Sequence, residues 1–109
     1  MQSRNRGTYE IDGHELVAEG ADMRVQVLTL AAGQSITWHY HSEITVQFVC
    51  LEAPMVVETR APHHTYALDK GERCAVPPMT AHYVHGKDGG PCRFLIVQGV
   101  GVYDFMPVG

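Results

Sequence analysis

The residues with most scope for chemistry are three histidines: the pair in Trp38-His39-Tyr40-His41, and His82. On an extended strand, residues i and i+2 point to the same side, with Cα atoms roughly 7 Å apart. Two imidazoles so placed can both reach one ion at the ~2.0–2.1 Å of a zinc–nitrogen bond. A His-x-His alone is weak evidence, because neighbouring solvated histidines also arise by chance. His82 strengthens it. Two prolines in Val76-Pro77-Pro78-Met79-Thr80-Ala81, ahead of an alternating run, predict a tight turn that feeds His82 into a new strand. A third imidazole from that strand makes three ligands with open positions, as in a reactive centre rather than a sealed structural one.

The other four histidines read differently. His63-His64 follows Pro62 in an expected turn and is expected in solvent. His85 lies three residues after His82, hence on the opposite face of a regular strand. His14 follows Asp12-Gly13 and is expected to be exposed. Trp38, Tyr40 and Tyr83, as immediate strand neighbours of the three histidines, should point away from them and serve packing. Cys50, Cys74 and Cys92 are too few and too far apart for a CxxC zinc site or a disulfide framework and are expected as reduced thiols, with Cys50 and Cys74, inside apolar runs, as small core residues.

The elements that must position these residues are strands. Short β-rich runs recur between Gly, Pro and Asp clusters, near residues 15–18, 23–30, 35–38, 45–51, 55–59, 65–68, 73–76, 81–85, 92–98 and 102–105. In Met23-Arg-Val-Gln-Val-Leu-Thr-Leu30, Met23, Val25, Val27 and Thr29 share one face, and Arg24, Gln26, Leu28 and Leu30 the other. No segment offers ten residues of capped helical period. The tail from Gln98 to Phe105 has two glycines but no following helix, so a phosphate loop is not expected. Its aromatic residues are expected on a barrel edge or a partner subunit.

At 109 residues, with 45% apolar and 18% charged residues, the chain is expected to be a single domain over residues 8–109 behind a flexible arm at residues 1–7. A formal charge of −4 with eight scattered basic residues argues against nucleic acid as a partner. No apolar run approaches the ~20 residues needed to span a bilayer, and no signal-like segment is visible. The expectation is a cytoplasmic protein with no membrane partner.

With these residues in place the sequence resembles the cupin superfamily, whose first motif is G-x5-H-x-H-x3-4-E-x6-G. Here Gly33, His39, His41, Val46 and Ala53 fall at those positions. The second motif, G-x5-P-x-G-x2-H-x3-N, is matched in spacing by Gly71, Pro77, Met79, His82 and Gly86. The resemblance covers about half the chain. It implies an all-β jelly roll, the double-stranded β-helix of small bacterial single-domain cupins, and a homodimer. It also implies His39, His41 and His82 as ligands of a divalent first-row transition metal: Fe, Ni, Mn, Zn or Cu. The departures are Val46 in place of the family's Glu ligand, and Ala53, Met79 and Gly86 in place of Gly, Gly and Asn. Gln47 through a β-bulge, or Glu43 on a continued strand, are the two residues that could supply the lost oxygen. Otherwise Val46, Phe48 and Cys50 form an apolar wall.

Three neutral imidazoles leave a divalent ion its full +2 charge, which favours a small anionic chelating substrate and lowers the pKa of bound water. Proton competition for free imidazoles predicts that metal affinity falls as pH drops through about 6 to 7. The resemblance admits a metal-dependent dioxygenase or an isomerase or lyase. A non-catalytic ligand-binding or sensor barrel with a degenerate metal site is the alternative.

Overall fold

A computed structural model describes residues 4–6 and 9–109, with side chains from Ile11 onward. Of the expected arm at residues 1–7, residues 1–3 and 7 lie outside the described residues. Arg4–Arg6 forms β1 and pairs antiparallel with β2, Tyr9–Ile11. The strands that follow are β3 (Gly13–Gly20), β4 (Met23–Leu30), β5 (Ser35–Tyr40), β6 (Thr45–Glu52), β7 (Met55–Thr59), β8 (His64–Leu68), β9 (Arg73–Val76), β10 (His82–Gly86), β11 (Cys92–Gly99) and β12 (Met106–Pro107). A 3₁₀ turn at Lys87–Gly89 is the one helical element among the described residues, and none is long and apolar enough to cross a membrane.

Two five-stranded antiparallel sheets carry the molecule, in the orders β12-β5-β10-β7-β8 and β3-β4-β11-β6-β9. Period-two alternation decides which side chains meet between them. From β11 the inward residues are Cys92, Phe94, Ile96 and Gln98; from β6 they are Val46, Phe48 and Cys50. Leu28 and Leu30 of β4, Ile36 of β5, Met55 and Val57 of β7 and Val84 of β10 join them in the core, with Ile11, Ile44, Leu68 and Val76. Full burial of a side chain such as Phe48 or Phe94 stabilises by roughly 2–3 kcal/mol. The wall expected from Val46, Phe48 and Cys50 is therefore present, and the inward face of β4 is the one that also carries Arg24 and Gln26.

The one expected strand that does not form is 102–105; the last strand is β12, shifted toward the C-terminus. Asp104 explains the shift. Its carboxylate accepts hydrogen bonds from the Ser42 N–H at 2.8 Å and from the Ser42 hydroxyl, while its carbonyl turns toward His41. Those bonds fix residues 101–105 as a strap across the barrel end. Pairing resumes only where Met106 meets Tyr40 and Pro107 meets His39.

Met79 adopts φ 62°, and Ala53 φ 61°, so the two positions where cupins usually carry glycine keep the left-handed backbone without the residue suited to it. Met79 is 65% exposed and packs little. Its conformation is held by its N–H, which donates to the His41 carbonyl at 2.8 Å. We expect Met79→Gly to stabilise the protein by about 0.5–1 kcal/mol, the relief of left-handed strain less the added chain entropy. A chemical denaturation midpoint that falls in the variant would contradict this.

Candidate metal centre

Two β-strands and one turn assemble the site. His39 is the penultimate residue of β5, and His41 follows its last residue with its side chain on the same face. The Pro77–Thr80 turn, tied to His41 through Met79, brings His82 in as the first residue of β10. His82 is paired directly with His39, and the register shifts between His82 and Val84. Such irregularities re-aim side chains beside functional sites. All three imidazoles are buried, at 4%, 3% and 1% exposure, and their ligand atoms lie within 4.8 Å of one another.

The hydrogen bonds set the tautomers. Nδ1 of His39 donates to the Thr37 carbonyl at 2.7 Å, Nδ1 of His41 to the Asp104 carbonyl at 2.5 Å, and Nδ1 of His82 to the Thr80 carbonyl at 2.9 Å. With every Nδ1 carrying its proton, every Nε2 presents a lone pair. A metal-binding histidine is held in this way, its second nitrogen fixed by an outer partner. The Nε2 atoms of His41 and His82 are buried without any hydrogen-bond partner. Leaving such an atom unsatisfied costs about 1–3 kcal/mol, and a cation between the rings would satisfy both.

Burial also decides charge. It pushes His39 down to about 3, helped by repulsion from His82, and His82 down to about 4; His41 is lowered for the same reason. The three rings are therefore neutral at pH 7. This corrects the pH window expected from free imidazoles. In the folded chain, protons compete for His39 and His82 well below 6 to 7, and for His41 below its usual range.

An oxygen ligand is not supplied from β6 or the loop before it. Gln47 and Glu43 are both exposed and directed outward, and Val46 is fully buried in the wall. The remaining histidines stay outside. His85 and His63 bond Glu58 at 2.7 and 3.3 Å, His85 chiefly holding that carboxyl below its usual range, and His64 is exposed at the start of β8. His14 departs from expectation. It sits in β3, half-buried, with Nε2 bonded to the Gln26 side-chain oxygen. Trp38 stacks on Tyr83 at 5.6 Å on the outer face, under the Arg60 guanidinium. Burial raises the Cys74 thiol to about 11 and Cys92 to about 12, and Cys50 upward, so none is poised as a nucleophile.

The strap supplies residues that sequence reasoning did not place here. Phe105 stacks on His39 with ring centres 4.2 Å apart, and Tyr103 stands 5.4 Å from His41. Phe48 closes the inner side, 6.0 Å from His82. The one local signal was the Tyr103-x-Phe105 spacing, which puts both rings on one side of an extended chain. Nothing in that spacing says which surface they cover.

No protein-family model matches the chain, and no curated protein matches it in sequence. Solved structures do match. A double-stranded β-helix protein from Klebsiella pneumoniae superposes with a TM-score of 0.72 at 20% identity, covering 86% of this chain and 82% of the other. A cupin-2 domain protein from Shewanella frigidimarina gives 0.66 at 20% identity, covering 80% and 79%. An oxalate oxidase gives 0.71 at 12% identity over 80% of this chain; the chain spans about half the length of that protein, 46%. At these identities the likeness concerns the fold alone.

Proposed function

From the double-stranded β-helix fold that the chain shares with these cupins, we propose that His39, His41 and His82 hold one divalent first-row transition metal through their Nε2 atoms. We propose further that this centre serves a dioxygenase-type reaction on a small anionic chelating substrate. The observation that carries the reading is the pair of buried, unpartnered Nε2 atoms on His41 and His82 within a cluster of three neutral rings. Bound by neutral ligands alone, such an ion would keep its +2 charge, attract chelating anions and activate O2 or a coordinated oxygen.

Among the described residues no carboxylate joins the three-histidine cluster, which favours oxygenase chemistry over isomerase or lyase chemistry, because proton shuttling needs a base beside the metal-bound group. Asp104 spends its carboxylate on Ser42, Glu43 faces solvent, and Glu58 lies with His85 and His63 on the outer face. Phe105, Tyr103 and Phe48 instead surround the rings with apolar surface that limits water. The second reading, a non-catalytic binding barrel, draws on the same strap, since Phe105 packs directly on His39.

Oxygen-electrode traces of the Fe(II)-loaded chain, taken with carboxylates, β-diketones and thiols in turn, separate the two. We expect uptake with at least one class, lost in His39→Ala. Tight binding of a compound with no uptake from any class would leave the binding barrel.

A further inference from the structure

The inner face of the second sheet ends in a polar row. In register, Gln98 of β11 lies directly between Arg24 of β4 and Val46 of β6, and all three belong to the inward-facing set of their strands. The row runs from the wall beside the three histidines to a cavity of about 110 Å³ lined by Arg24, Gln98, Tyr103, Glu19 and Gly101 among others. Tyr103 belongs to both places, 5.4 Å from the His41 ring and 4.8 Å under the Arg24 guanidinium.

A chain of hydrogen bonds fixes which end of Gln98 faces this cavity. The His14 Nε2–H donates to the Gln26 side-chain oxygen, and the Gln26 amide donates to the Gln98 side-chain oxygen at 2.7 Å. Gln26 is fully buried and Gln98 is 6% exposed, so the orientation is enforced rather than solvated. With its oxygen committed, Gln98 has only its NH₂ left to offer. Arg24 adds a charge. Glu19 accepts from its Nε–H at 3.1 Å, an exposed ion pair of small worth, and the two Nη groups remain for a second acceptor.

We propose that this cavity is a carboxylate subsite, in which Arg24 and the Gln98 amide hold one end of a small organic acid whose other end reaches the three-histidine centre. Two donors on register-paired residues lining one cavity, one of them a guanidinium, match a carboxylate better than a neutral group. Glu19 also lines the cavity, and the ligand has to displace it or share Arg24 with it. The link to the histidines rests on the metal-centre reading; the carboxylate contact itself does not.

Malonate is the probe, with malonamide as its neutral counterpart, titrated first into the metal-free chain while the Arg24 Nε–H and Gln98 side-chain amide signals are followed by NMR. Malonate should shift both signals saturably and malonamide neither. Arg24→Gln should weaken malonate by about tenfold or more without altering the melting temperature. Gln98→Glu, which still accepts from Gln26 but turns an acceptor toward the cavity, should abolish the binding. Equal binding of malonate and malonamide, an unchanged affinity in Arg24→Gln, or no saturable shift at all overturns the subsite. Ni(II) loading should then tighten malonate in wild type. Tightening that fails while the Arg24 effect persists removes the link to the metal and leaves the subsite standing.

Discussion

His82→Ala and His39→Ala are expected to lower affinity for Zn(II) or Ni(II) by at least about a hundredfold each. Zinc sites with four ligands gather roughly 10–16 kcal/mol of apparent binding free energy, or about 3 kcal/mol per ligand, which is of order a hundredfold. A three-ligand site has less redundancy, so the loss should not be smaller. The fold should survive. His82 carries a buried Nε2 with no partner, and removing it discards a desolvated polar atom along with its packing, so the two effects on stability partly offset. His63→Ala is the control, since His63 only reaches Glu58 at the surface. Chelator-competition titrations of the three variants check this. A His63→Ala protein that loses metal while His82→Ala keeps it would move the site elsewhere.

Acid should act strongly on the metal-free chain. The unfolded imidazoles titrate at 6.5, whereas His39 and His82 in the folded chain titrate at about 3 and about 4, and His41 is also lowered. The folded state therefore binds fewer protons. Stability is full above 6.5 and is lost as pH falls through the window down to those lower values. Each such group removes up to about 1.4 kcal/mol per pH unit, so His39 and His82 together remove up to about 2.7 kcal/mol per unit. For a domain at the low end of ordinary stability, about 5 kcal/mol, that suffices for unfolding between pH 6 and about 4. Urea unfolding of the metal-free wild type and of His39→Ala/His82→Ala at pH 7.5, 6 and 5 measures it. The wild type should lose stability steeply, and the double variant, stripped of two buried bases, should lose distinctly less. Parallel slopes would show that these imidazoles are not the acid-sensitive groups.

The legible parts of this molecule were those written in short-range periodicity. Alternation in Met23–Leu30 marks a strand because each side chain faces either the core or water, Cys92–Gln98 is legible as a β-rich run, and both are strands in the structure. The spacing of His39, His41 and His82 was readable for the same reason. Two residues apart on one strand share a face, and the Pro77-Pro78 turn returns the chain antiparallel beside it. What was not legible depends on contacts that sequence spacing does not encode. The strap over the site is set by Asp104 bonding Ser42 and His41, some sixty positions earlier. The burial of His14 against Gln26 depends on the same kind of distant partner. Met79 stands where the resemblance puts a glycine, and it keeps a left-handed backbone whose N–H donates to the His41 carbonyl, a contact that spacing does not encode.

The most direct test of the central claim is elemental analysis of the untagged chain beside His39→Ala/His41→Ala. One first-row transition metal per chain, lost in the double variant while the strand-rich circular dichroism persists, is the predicted result. Wild-type protein that carries none, and takes up neither Fe(II), Ni(II), Zn(II) nor Cu(II) when offered, would contradict it.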